Sequence, residues 1–170
     1  MFLIKGPLLA PYADFLLVFE AFLVALGFAV MGRGGATFVE LVNGVLLTAY
    51  TAIVTPPLAV FVLPLALLFG GLVDLTGSWF HARSASEVHG RRLAAAVTAS
   101  SALTGIVAYF ATVSLLVSLQ FLPNDPATDL LYGAIIVAVG IAEGAAGGLL
   151  AARVWEHNLK RRFSSFQPAS

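Results

Sequence analysis

Four carboxyls lie where a carboxyl is costly to hold. Glu20, Glu40, Asp74 and Glu143 fall inside or at the edge of long apolar runs, with no Lys, Arg or His at comparable depth. An acid at membrane depth turns away from lipid, toward the protein interior or a wet cavity. Two kinds of chemistry suit such a group. In its neutral form it donates a hydrogen bond between helices; alternatively it exchanges a proton or coordinates a cation. Glu143 near the middle of its span and Glu20 a little short of the middle are the leading candidates, while Glu40 and Asp74 stand close enough to span ends to reach the interface. A counter-charge for any of them would have to come from another chain.

Other chemistry finds little footing. His81, His89 and His157 fall in loops or at span ends, which does not support a bis-His haem within the bilayer. His81 and His89 lie eight residues apart with Glu87 nearby, at no familiar zinc-ligand spacing. Neither HExxH nor Gly-x-Ser-x-Gly is present. Ser100 and Ser101 have no base at membrane depth. Gly32-Arg33-Gly34-Gly35 lacks the strand, lysine and hydroxyl of a phosphate loop and reads as a turn. The chain has no cysteine, which removes disulfides, thiolate metal sites and cysteine nucleophiles. No catalytic residue, metal ligand or cofactor is expected.

These acids need spans to hold them. Of 170 residues, 59% are hydrophobic and 11% charged, against about 25% charged in soluble domains. The mean hydropathy is +0.95. So much apolar surface requires a bilayer as solvent. Thr37 to Gly77 is a run without Lys, Arg or His, about twice the length that crosses ~30 Å of hydrocarbon, and Pro56-Pro57 breaks it near its middle. It reads as two spans with a very short turn, or as a re-entrant pair of broken half-helices. The expected spans are 12–31, 37–55, 58–75, 94–121 and 130–154, in one all-α transmembrane domain. Met1 to Tyr12 is a short arm, and the first segment is expected to be retained rather than cleaved. A kink is expected at Pro64. Trp79 and Phe80 read as an interfacial pair, and Trp155 and His157 as interfacial markers.

Helix faces refine this. Thr37, Glu40, Gly44, Thr48, Thr51 and Thr55 recur every three or four residues and share one face of the second span, with Asn43 beside it. Val39, Val42, Leu46 and Ile53 make an apolar surface suited to lipid. Ala94, Thr98, Ser101, Gly105, Ala108 and Thr112 form a small-residue face on the fourth span. Gly140, Gly144 and Gly148 form a double GxxxG on the fifth, with Gly133 a heptad earlier. Pro123-Asn124-Asp125-Pro126 is a turn, with Asp129 starting the helix beyond it.

Arginines cluster at Arg33, in Ser78–Leu93 and after Arg153, while Leu122–Asp129 carries two Asp and no base. The positive-inside rule then places the N-terminus outside and the C-terminus inside, with Lys5 dissenting. The tail Lys160-Arg161-Arg162 suits an anionic leaflet. The expected setting is a multi-pass position in a prokaryotic cell membrane, among lipids and other membrane subunits and without nucleic acid. Packing faces, little extramembrane mass and no catalytic constellation suggest a non-catalytic subunit of a respiratory or other energy-converting complex. The alternative is a small proton or cation channel or transporter that uses the intramembrane carboxyls.

Overall fold

The computed structural model describes residues 10–54, 56–84, 87–118 and 126–160, without the side chains of 10–16, 57–58, 112–118, 126–130 and 132. The arm before residue 10, Thr55, the turn 123–125, Arg161-Arg162 and the final SSFQPAS lie outside the described residues, as do the side chains of Asp14, Phe15, Thr112 and Asp129.

The described chain is all-helical: α1 (Ala10–Met31), α2 (Gly35–Val54), α3 (Pro56–Trp79), α4 (Gly90–Ser118) and α5 (Pro126–Val154), continued by a turn of π-helix at Trp155–Leu159. Four segments are long and apolar enough to cross a membrane, Gly35–Val54, Ala59–Trp79, Gly90–Ala111 and Gly133–Leu159; the described apolar part of α1, Leu17–Met31, is shorter. Neither α2 nor α3 is a half-helix. At 1.5 Å per residue each reaches about 30 Å or more. Pro56 begins α3 in the first turn, where its missing N–H costs no bond, and Pro64 lies inside the same unbroken element.

Consecutive helices pack side by side, and α5 returns to α1, which also touches α3 and α4. The α4–α5 and α2–α3 hairpins are the most extensive pairings. The buried core gathers at one end of this ring, where Val24, Ala25, Phe28 and Ala29 of α1 share a cluster with Ala36, Phe69, Val73, Leu93, Val97, Ala151 and Trp155. The same end carries Arg33, Arg83, Arg91, Arg92 and Arg153.

Tight turns and close crossings make this end compact. Gly32 and Gly34 take φ of +76° and +92° in the reversal between α1 and α2, a region open to glycine at little steric cost. A Cβ on Gly35 would strike the carbonyl of Gly27, so these two glycines set the α1–α2 approach. The double GxxxG of α5 is filled from within the chain. A Cβ at Gly148 would stand 2.6 Å from Ala94 Cα, one at Gly144 2.7 Å from Thr98 Cα, and one at Gly140 3.2 Å from the Ser101 carbonyl. Gly105 faces Ile136 more loosely, at 3.4 Å, and Gly133 faces Tyr109.

Three expectations need correction. Val39 packs against Gly27 of α1 rather than facing lipid, although Val42, Leu46 and Ile53 do face outward. Trp155 belongs to the core, 6% exposed, where it joins the cluster of Phe28, Leu93 and Ala152 instead of turning out to the interface, and the π-turn that carries it packs against α1. The connection after α3 is shorter than Ser78–Leu93: α3 continues to Trp79 and α4 begins at Gly90, so Arg91 and Arg92 ride its first turn. Helices extend past the apolar slab whenever the backbone can continue its own hydrogen bonds, as Leu93 N–H does by donating to the His89 carbonyl at 2.9 Å.

Candidate functional site

The polar face of α2 turns inward. Glu40, Gly44 and Thr51 are buried and Thr37, Asn43 and Thr48 half-buried, while Phe38, Leu41, Val45 and Leu46 point outward. The 3.6-residue period requires this separation, since Glu40 and Thr51 cannot share a face with Leu46. α3 then closes over the stripe. Gly70 has no side chain to hold it off, so its backbone lies against Ala36, Thr37 and the Glu40 Cβ; one to two turns away Gly44 admits Leu63 and Ala66.

At the start of α2 the stripe meets Asp74 of α3. Ala36 N–H donates to Asp74 Oδ1 at 3.2 Å, Thr37 N–H to Oδ2 at 2.9 Å, and the Thr37 hydroxyl to Oδ2 at 2.6 Å. Asp74 thus caps α2 from a neighbouring helix and places negative charge at the positive end of its dipole. These bonds occupy both oxygens, and they give Asp74 a positioning role.

One turn along stands Glu40, fully buried at 0% exposure. The Asn43 side-chain amide lies between two acids, donating to Glu20 Oε1 at 2.9 Å and, more weakly, to Glu40 Oε2 at 3.4 Å. Glu40 Oε1 is buried with no hydrogen-bond partner among the described residues. The hydroxyls of Thr48 and Thr51 continue the buried seam along α2, likewise without a partner among the described residues. From Thr37 to Thr51 the seam covers about 21 Å of helix.

The structure therefore joins Glu20 to Glu40 through Asn43 and sets Asp74 apart as a cap. Glu143 is half-buried, one helical turn before Gly147, whose missing Cβ would meet Ala21 and Phe22 of α1 at 2.7 Å. It stands on the α1-facing side of α5. Asn43, which the sequence places beside the stripe, carries the junction; its i,i+3 spacing from Glu40 is visible in the sequence, but its contact with Glu20 crosses between helices. A second interior contact links α3 to α4, where the hydroxyls of Thr76 and Ser100 meet at 3.0 Å.

The charges sit at the compact end. The Arg83 guanidinium covers the α1–α2 turn, where a Cβ on Gly32 would lie 2.6 Å from it, and burial pulls the Arg83 pKa below its ordinary value. A cleft of about 510 Å³ between the π-turn and α4 is lined by Glu87, His89, Arg91, Arg92, Glu156 and Lys160, among others. Comparison with protein-family models, curated proteins and solved structures finds no match.

Proposed function

We propose that this chain is a five-span membrane protein, N-terminus outside and C-terminus inside, that handles protons or small monovalent cations at Glu20, Asn43 and Glu40. One observation carries the reading: two acids share a single amide in the interior, and the more buried acid keeps an unpartnered oxygen. Two negative charges sharing one amide repel each other in a medium that screens them poorly. A proton or a cation between them relieves the repulsion, and Glu40 Oε1 is the atom open to receive it. The buried threonines extend polar surface away from the pair along α2. Glu143, on the α1-facing side of α5, is a second candidate on the same route.

A subunit of an energy-converting complex is the second reading. The small-residue faces of α4 and α5 do not serve it as seats for partner helices, because they seat each other. It rests on the broad outward apolar surfaces of α2 and α4.

Purified protein in liposomes tests the first reading. An imposed pH or sodium gradient should drive a flux that Glu40→Gln lowers about tenfold or more, the change expected when a group worth ~1.4 kcal/mol to the rate-limiting state is lost. Glu20→Gln should act in the same direction. Unchanged flux in a folded Glu40→Gln protein would remove the pair from the mechanism, and unchanged flux in Glu143→Gln would remove that residue.

A further inference from the structure

The Arg91–Arg92 pair has different surroundings on its two sides. On one side lies the cleft that also holds Glu87 and Glu156, where acids oppose an anion; Glu156 Oε1 would lie 3.9 Å from a Cβ on Gly90. On the other side is a groove of about 480 Å³ lined by Phe80, His81, Arg91, Arg92 and Ala95, with no acid among them. Neither arginine has an acid within ion-pair distance among the described residues, where Lys160 pairs with Glu87 at 3.9 Å. Among the described residues, the Arg92 guanidinium makes one long contact, 3.5 Å, to the His81 carbonyl.

The groove lies at the rim of the membrane-crossing helices. Phe80 stacks on Trp79 with ring centroids 6.2 Å apart, and Trp79 is 74% exposed, as suits a ring at the headgroup level. Leu75, a turn before Trp79 on the same face of α3, is also exposed. Charge and apolar surface are therefore adjacent in the order a phospholipid presents them, phosphate above and glycerol and acyl chain below. Guanidinium groups suit phosphate oxygens because their planar N–H forks can donate in pairs.

We infer that this groove holds the headgroup of an anionic phospholipid, its phosphate on Arg91 and Arg92 and its upper acyl chain against Phe80. The site is separate from the interior acids and stands whether or not those acids move ions. A soluble phosphate would use the same arginines but would gain nothing from Phe80 and Trp79, and this separates the two sources.

Native mass spectrometry of the full chain in mild detergent, titrated with phosphatidylglycerol or phosphatidylcholine, tests the inference. Wild type should retain phosphatidylglycerol in preference to phosphatidylcholine. The double variant Arg91→Gln, Arg92→Gln should bind it roughly thirtyfold more weakly, the loss expected for two interfacial bases at ~1 kcal/mol each. Arg33→Gln, at the same end but outside the groove, should bind as wild type does. Phe80→Ala, which leaves both charges, should also weaken lipid binding. Three results would each overturn the inference: equal retention of the two lipids, no loss in a folded double variant, or displacement of the lipid by millimolar inorganic phosphate with no effect of Phe80→Ala.

Discussion

Alanine at Gly144 or Gly148 should lower the thermal midpoint of the detergent-solubilised protein sharply, while alanine at Gly71 should leave it unchanged or raise it. The difference lies in what the new methyl meets. At Gly144 it would stand 2.7 Å from Thr98 Cα and 3.0 Å from Thr98 N, and at Gly148 2.6 Å from Ala94 Cα. These are backbone atoms of a 29-residue helix and cannot swing aside as a side-chain tip can. α4 and α5 must separate, and separation loosens contacts along the whole seam. Overpacking of this kind costs about 1–3 kcal/mol, and the upper part of that range applies where backbone is the obstacle. Membrane helices feel the loss keenly, since lipid is as apolar as their own side chains and packing carries much of their association. Gly140→Ala should fall between, because its methyl would meet the Ser101 carbonyl at 3.2 Å and a few tenths of an ångström would relieve it. At Gly71 nothing among the described residues lies within 4 Å, so the higher helix propensity of alanine, up to ~1 kcal/mol, is unopposed. Unfolding in detergent followed by circular dichroism gives the order. A Gly144→Ala protein as stable as wild type would mean that α4 and α5 do not meet along this ridge.

That ridge also shows what a sequence can disclose. Gly140, Gly144 and Gly148 share a face because 3.6 residues make a turn, so a close approach was legible. Which helix approaches was not, because every small-residue face offers the same invitation, and Ala94, Thr98 and Ser101 answer it from within the chain. The inward turn of the α2 stripe was equally legible, since Glu40 and Thr51 on one side and Leu46 and Ile53 on the other leave a single arrangement in lipid. Val39 escaped because a valine suits lipid and protein alike, and only the bare surface of Gly27 draws it inward. Trp155 escaped for a related reason: aromatic residues near span ends serve the interface or the core, and the π-turn that decides between them has no simple signature. The Glu20–Asn43 bond joins residues 23 apart on different helices, a pairing set by the α1–α2 crossing at Gly27 and Gly35 and not by any local spacing.

Asp74→Ala should cost more than an ordinary capping mutation. An N-cap lost from an exposed helix costs about 0.5–2 kcal/mol because water takes over the freed donors. Here water has poor access, for Asp74 is 6% exposed and Ala36 is buried. The variant strands the N–H groups of Ala36 and Thr37 and the Thr37 hydroxyl. Stranded buried donors cost ~1–3 kcal/mol each when nothing relaxes, and fraying of the first turn of α2 relieves part of that, so a total of about 2–4 kcal/mol is expected. Asp74→Asn keeps one acceptor oxygen and should lose roughly half as much. Hydrogen exchange places the damage: the amides of Ala36 and Thr37 should lose protection first, while those of Val97 and Ser100 in α4 keep theirs until global unfolding. Glu40 stands one turn beyond the cap, so a frayed α2 also loosens its position beside Asn43. Asp74→Asn should therefore reduce both stability and any flux through the interior acids, whereas Glu40→Gln should reduce the flux and leave the Ala36 and Thr37 amides protected. Protection at those two amides that survives Asp74→Ala would show that α2 is held by the Gly27–Gly35 crossing without its cap.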